Sequence, residues 1–370
     1  MGKYLHNRRD YLEIFIMIVL SVSPLISIPL RIFLCLFLLI LNRHNIYISR
    51  GFLFLLLICF LIPSLIDIIS HGDLPFSLLN ISIPLIFLCG FVVGNKYSEA
   101  NQFYYKFEQI VFYLALLSLV GCFIMFFTPS VVRLFPEYVM NDKTHHTIYF
   151  FNFLQFDDGN IVIRNSGLAW EPGVFQFLLN IALLVNANKP DSKIKLLKSI
   201  VYVLSICLTK STMGYIIMLL VFFKMLKTNK VYILILIISF LWFLPVVVEE
   251  IKYQLDYKML GSDSFGVRFE PMFNAINLFG FNIYGIGSSY YNSVYEILNI
   301  GSFDSYTQIL LRYGYPLFIY IVYKLIRIWQ SNKILGFIII LTFFSEPLWS
   351  CVLVCAMYFL KNKSFNESLR

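Results

Sequence analysis

Apolar runs of bilayer length dominate this chain. A helix needs about 20 mostly apolar residues to cross a hydrocarbon core. Such runs lie near 51–70, 76–94, 107–127, 168–187, 231–248 and 314–330. Three more stretches, 11–41, 199–226 and 334–360, are too long for one untilted helix and short for two. Each has a polar or proline-bearing break near its middle: Pro24 to Arg31, Thr209 to Thr212, and Ser345 to Pro347. These breaks predict tight hairpins of short helices. The expected fold class is therefore all-α: a polytopic transmembrane helical bundle of about 10–12 spans, forming one integral membrane domain over 1–370.

Composition agrees. Hydrophobic residues make up 59% and charged residues 14% of the 370, whereas a soluble domain carries roughly 25% charge. Disorder is excluded, because it needs low hydrophobicity and high charge. The formal net charge of +8 is not concentrated on a folded polar domain, which argues against nucleic acid as a partner. All seven cysteines fall inside apolar runs. A disulfide framework or zinc site would place them in spaced pairs at the surface, so they read as small core residues. Lys3, Arg8 and Arg9 precede the first apolar run, but no A-x-A site follows. An uncleaved first span is expected.

Charge sets the expected orientation. With the N-terminus cytoplasmic and strict alternation, twenty Lys and Arg fall on the cytoplasmic side and eight on the outer side. Treating 199–226 as one span would move Lys224, Lys227 and Lys230 outward, so the hairpin is preferred. Two long outer loops result, 128–167 and 249–304. Most connections are 2–6 residues. Loops of this size fit an enzyme working at the outer face better than a carrier working at the midplane, and no internal repeat suggests a pseudo-symmetric transporter.

The segment Arg164-Asn165-Ser166-Gly167-Leu168-Ala169-Trp170-Glu171-Pro172-Gly173 ends the first loop and opens a span. Pro172 suits a first helical turn. Glu171 at the helix start and Trp170 at the interface have an ordinary structural explanation. The functional alternative makes Glu171 a general base and Arg164 a clamp on phosphate oxygens. Lys210, at the tip Leu208-Thr209-Lys210-Ser211-Thr212-Met213-Gly214, is either a snorkelling lysine or a functional cation at the end of a span. In the second loop, Arg268 is a basic residue in otherwise acidic surroundings, open to an anionic ligand or to trivial pairing. Gly285 and Gly287 carry no P-loop or dinucleotide signature and suggest a turn with positive φ. His145 and His146 are neighbours in a polar loop. In an extended segment they point to opposite sides, which does not favour metal binding. Glu346-Pro347 reads as an outer turn.

Taken together, these residues resemble the O-antigen polymerase and ligase superfamily of bacterial membrane glycosyltransferases. Three pieces carry the resemblance: Arg164…Gly167…Glu171-Pro172-Gly173; the Leu208-Thr209-Lys210-Ser211-Thr212-Met213-Gly214 hairpin; and Arg268 followed by Tyr284-Gly285-Ile286-Gly287, then Asp304-Ser305-Tyr306…Tyr313-Gly314. The order covers about 160 to 320. It implies a GT-C-like, metal-independent enzyme of the bacterial inner membrane that needs no cofactor. Both termini would be cytoplasmic and both long loops periplasmic. Its substrates would be undecaprenyl-diphosphate-linked oligosaccharides, with membrane lipid around it and a chain-length regulator as a possible partner. It also implies catalytic roles for Glu171, Arg164, Arg268 and Asp304, and substrate contacts from Lys210, Tyr306, Gly285 and Gly287. Ligases often carry Arg where this chain has Thr212 and His where it has Asp304. Both departures point to a polymerase, with the ligase and a flippase of the same lipid-linked units as the competing expectations.

Overall fold

A computed structural model describes residues 2–46, 48–70, 78–97, 100–132, 134–140, 143–148, 151–155, 164–225, 282–288, 290–291 and 304–360, with isolated positions 241, 248, 274 and 277. The expected span at 231–248, most of the second long loop and Arg268 lie outside the described residues.

The described chain is mainly helical. Its helices are α1 (Gly2–Val22), α2 (Ile28–Leu41), α3 (Arg50–Ser70), α4 (Leu79–Lys96), α5 (Ala100–Phe127), α6 (Pro172–Ala187), α7 (Lys193–Thr209), α8 (Thr212–Met225), α9 (Ser305–Ser331), α10 (Lys333–Ser345) and α11 (Val352–Phe359). Among the described residues, α3, α4, α5 and α9 are long and apolar enough to cross a membrane; α2, α6, α8 and α10 are shorter apolar helices. The three expected breaks are present, and the α1–α2 and α7–α8 pairs pack as hairpins, but α11 turns away from α10 and packs on α4 and α1 instead. The chain breaks between α1 and α2, between α7 and α8, and between α10 and α11.

Helix α6 is the central post: every residue from Pro172 to Ala187 is buried. Most of its residues are apolar, and its buried polar ones are hydrogen-bonded inside the bundle, Asn180 to Gln176 and Asn186 to Ser199, each at 2.8 Å. Its neighbours are α5, α7, α8 and α10. Helix α11 lies on α4 at very close range. A Cβ at Gly90 would stand 2.5 Å from Cys355 Cβ, and one at Gly94 would stand 2.6 Å from the Ala356 carbonyl oxygen. Small residues allow such approach between helices in an apolar medium.

One feature departs from an all-α expectation. The first long loop holds an antiparallel three-stranded sheet, β1 (Glu137–Met140), β2 (Lys143–Ile148) and β3 (Phe151–Gln155). β-branched and aromatic residues recur in these strands and favour pleated structure. The sheet rests on the carboxyl end of α5, where Phe151 lies against Gly121 and Phe153 packs with Met125. His145 and His146 sit in β2 opposite Tyr138 and Glu137. The extended conformation expected for them is present, but both are buried rather than displayed in a polar loop.

The bundle has two chemically different ends. At one end, ammonium groups meet carboxylates. Lys96 reaches Asp10 and Glu13, each at 2.7 Å. Lys106 also pairs with Asp10, and Lys189 and Lys198 lie 2.5 and 3.1 Å from Glu108. At the other end, α1 stops, and α6 and α11 begin. The Trp170 amide donates to the Val22 carbonyl at 3.0 Å, and the Leu353 amide donates to Ser21 Oγ at 2.9 Å.

Candidate active site

The segment before α6 is held rigidly. The Asn165 amide donates to the Leu208 carbonyl at 2.8 Å, and its side-chain amide donates to Ser118 Oγ at 3.0 Å. Asn165 Oδ1 accepts from the Gly167 amide at 3.1 Å. Gly167 has φ 54°, a conformation that glycine adopts at little cost. Asn152 of β3 donates to the Ala169 carbonyl at 2.7 Å, so the sheet fixes this entry segment too.

Arg164 is thereby aimed at the α7–α8 tip. Its Nε donates to the Thr209 carbonyl at 3.2 Å and its Nη2 to the Lys210 carbonyl at 3.1 Å. These are carbonyls at the end of α7, where a cation is favoured. Lys210 caps α7 with φ 51° and ψ 37°. It is the one non-glycine residue with positive φ among the described residues. Left-handed backbone costs a side-chain-bearing residue energy and clusters at functional sites. Two cations from segments far apart in sequence thus share one turn.

Glu171 occupies the N-cap position of α6 with φ −141° and ψ 151°, and Pro172 follows at the first helical position. Its carboxylate does not cap the helix. Beside it, the Glu346 carboxylate lies over the first turn of α6, so that a Cβ at Gly173 would collide with Glu346 Oε1. Glu346 is buried, 5% exposed. Ser305 ties this carboxylate's backbone to the third motif: its hydroxyl donates to the Glu346 carbonyl at 2.6 Å and accepts from the Leu348 amide at 2.8 Å.

Asp304 caps α9. Its Oδ1 accepts from the Tyr306 and Thr307 amides at 2.8 and 3.0 Å, and its Oδ2 accepts from the Thr307 hydroxyl at 2.6 Å. Tyr306 turns into the α9–α10 interface, with Phe343 and Phe344 rings 5.7 and 4.8 Å away.

Gly285 and Gly287 have φ 73° and 83°, as the turn reading expects. They lie against the amino-terminal third of α9, about two turns beyond Asp304. The Ile286 amide donates to the Leu311 carbonyl at 2.7 Å and the Tyr315 amide to the Ile283 carbonyl at 2.9 Å. Gly314, with φ 71° and ψ −160°, kinks α9 to receive this turn. Under it lies a buried polar group: Asn80 donates to Asp67 at 3.2 Å, Ser288 donates to Tyr313 at 3.3 Å, and the Arg312 guanidinium stacks 4.1 Å over Tyr291.

Glu346 is the residue that sequence reasoning undervalued. Its signal was an ionisable group at the break of an apolar run. No protein-family model, curated protein or solved structure matches this chain.

Proposed function

We propose that this protein is a glycosyltransferase that polymerises undecaprenyl-diphosphate-linked oligosaccharide units at the periplasmic face of a bacterial inner membrane. In this reading the fold is GT-C-like, both termini are cytoplasmic, and the end bearing Arg164 faces outward. Two observations support the proposal: Arg164 is held on the Thr209 and Lys210 carbonyls at the α7–α8 tip, and Glu346, tied to Ser305, lies over the first turn of α6 that Glu171 opens. The first motif thus touches the second through Arg164 and reaches the third through Glu346 and Ser305.

The chemistry follows from the groups. The leaving lipid diphosphate develops negative charge, which Arg164 and Lys210 would offset, with Arg268 in the same role. One well-placed donor of this kind is worth about 2.7–4 kcal/mol. Arg164 also positions the tip through its two carbonyl contacts. A carboxylate takes the proton from the acceptor hydroxyl, and the hydroxyl oxygen attacks the anomeric carbon as the bond to diphosphate breaks. Diphosphate leaves readily, so neither a metal nor a general acid is required.

A second reading is a carrier for the same lipid-linked units. The buried Asp67 and Arg312 favour it, because ionisable groups within spans often mark transport paths. Deleting the gene separates the readings on a surface-polysaccharide gel. A ladder that collapses to a single repeat on the lipid core supports the polymerase. Loss of every repeat, with long polymer left on the lipid carrier, would mean a ligase. Units trapped on the cytoplasmic side would mean a carrier.

A further inference from the structure

A cavity lies away from this site. It has a volume of about 930 Å³ and sits between the amino-terminal half of α3, the carboxyl ends of α4 and α11, and the carboxyl half of α9. Ligand pockets commonly fall between ~300 and ~1,000 Å³. The cavity is at the end of the bundle that carries the ammonium–carboxylate pairs, since Asn95 of α4 lines it and Lys96 follows.

Its chemistry is that of an amphiphile. One side is apolar and comes from Phe54, Leu55 and Ile58 of α3. The other side carries Lys324 and Arg327 of α9. The neighbouring cations Lys96, Lys106, Lys189, Lys195 and Lys198 all pair with carboxylates. Lys324 and Arg327 make no ion pair among the described residues. Arg327 donates instead to the Tyr323 hydroxyl at 3.2 Å. Lys324 is half-buried. It folds over the Phe359 and Tyr320 rings at 4.5 and 5.4 Å, inside the cavity wall.

A third positive contribution comes from α3. Its amino end, at Ser49 and Gly51, opens onto the same cavity. Amides at a helix start attract anions. Gly51 has open space where a side chain would be, leaving this end of the helix approachable. The carboxyl ends of α4, α9 and α11 also border the cavity, and Lys324 and Arg327 offset their negative poles as well as offering charge to a ligand.

We propose that this cavity holds an anionic phospholipid of the adjoining leaflet, with its phosphate between Lys324, Arg327 and the amino end of α3, and an acyl chain along Phe54, Leu55 and Ile58. In the orientation proposed above this is the cytoplasmic leaflet. The site is independent of the glycosyl-transfer reaction and does not rest on it.

Native mass spectrometry of the full-length protein in mild detergent tests the site, with phosphatidylglycerol, phosphatidylcholine, a polyprenyl diphosphate and inorganic phosphate as probes. Retention of phosphatidylglycerol over phosphatidylcholine is expected. Lys324→Gln and Arg327→Gln should each weaken retention about fivefold, the effect expected for one cation near an anionic lipid surface. Ile58→Trp should expel the lipid while keeping both charges, and it is the deciding variant if the charge variants do not fold. Equal retention of the two phospholipids, or unchanged retention in a folded Lys324→Gln/Arg327→Gln double variant, overturns the proposal. So does preference for inorganic phosphate alone or for the polyprenyl diphosphate.

Discussion

The Glu346 carboxylate rests on the α-carbon of Gly173, in the first turn of the central helix, where any larger residue would strike its Oε1. Gly173 opens α6 and Glu346 follows α10, so this contact fixes the start of α6 against the turn after α10. Gly173→Ala should therefore destabilise the protein, although alanine is the better helix former. Thermal unfolding of Gly173→Ala, Glu346→Ser and the double variant measures the coupling. Non-additivity of about 1–3 kcal/mol is expected for residues in contact. Additive effects would remove the contact from the account.

The buried acid at the opposite end predicts a larger loss. Glu108 is fully buried in α5, and its carboxylate accepts from Lys189, Lys198 and the Tyr202 hydroxyl. Glu108→Gln keeps the shape but leaves two ammonium groups without their anion. Breaking a buried pair from one side costs about 3–5 kcal/mol. The variant should unfold at markedly lower temperature, and an unchanged midpoint would show that solvent already screens the cluster.

Asp10 gives a pH signature. Burial pushes its carboxyl pKa up, but hydrogen bonds and charge from Lys106 and Lys96 outweigh this and hold it below the ordinary value. A carboxylate lowered in the folded state stabilises fully above its unfolded pKa of about 3.9, and that stability is lost as pH falls through the folded value. The stability gap between the wild type and Asp10→Asn should be constant from about pH 7 to 5 and close below about 4. A gap that instead closes as pH rises would reverse the sign.

Much of this was legible in the sequence, for identifiable reasons. Thr209 to Thr212 and Ser345 to Pro347 put several polar residues together inside apolar runs, which marks a turn more surely than the lone prolines Pro84 and Pro316 that stay within helices. Both polar groupings became helix breaks. The sheet over Glu137–Gln155 was hidden because its strands are only four to six residues long and sit in a loop without sustained alternation. The docking of Gly285 onto the Gly314 kink is a contact between distant segments, and one sequence carries no record of which segments touch. The positive φ at Lys210 had no local cue either, because glycine or asparagine would normally mark it.

The Gly314 kink should be intolerant of any side chain. Its φ of 71° disfavours a side-chain-bearing residue, and an added Cβ would meet the Ile283 carbonyl and stand 2.6 Å from the Gly285 amide nitrogen. Gly314→Ala is expected to cost at least the ~1–3 kcal/mol typical of a strained backbone position. Ala at Gly51, where nothing lies nearby, is the matched control and should leave stability within about 0.5 kcal/mol or raise it. Equal behaviour of the two would mean that the turn does not dock on α9.

The three carboxylates near the start of α6 differ in how their oxygens are used, and this ranks them as the proposed base. Asp304 has both oxygens engaged by the first turn of α9. Both oxygens are thereby committed to starting the helix, and serine can supply the same cap. Asp304→Ser should therefore retain polymer, whereas Asp304→Ala should lose roughly 1 kcal/mol of stability with the cap. Glu171 stands at the N-cap without capping, so its carboxylate is not needed to start the helix. Glu171→Gln should keep the start of α6, since the carboxylate does not cap it, and abolish long polymer on a surface-polysaccharide gel. If Glu171→Gln keeps a full ladder while a folded Glu346→Gln loses it, the base is Glu346, and Glu171 only marks where the helix begins.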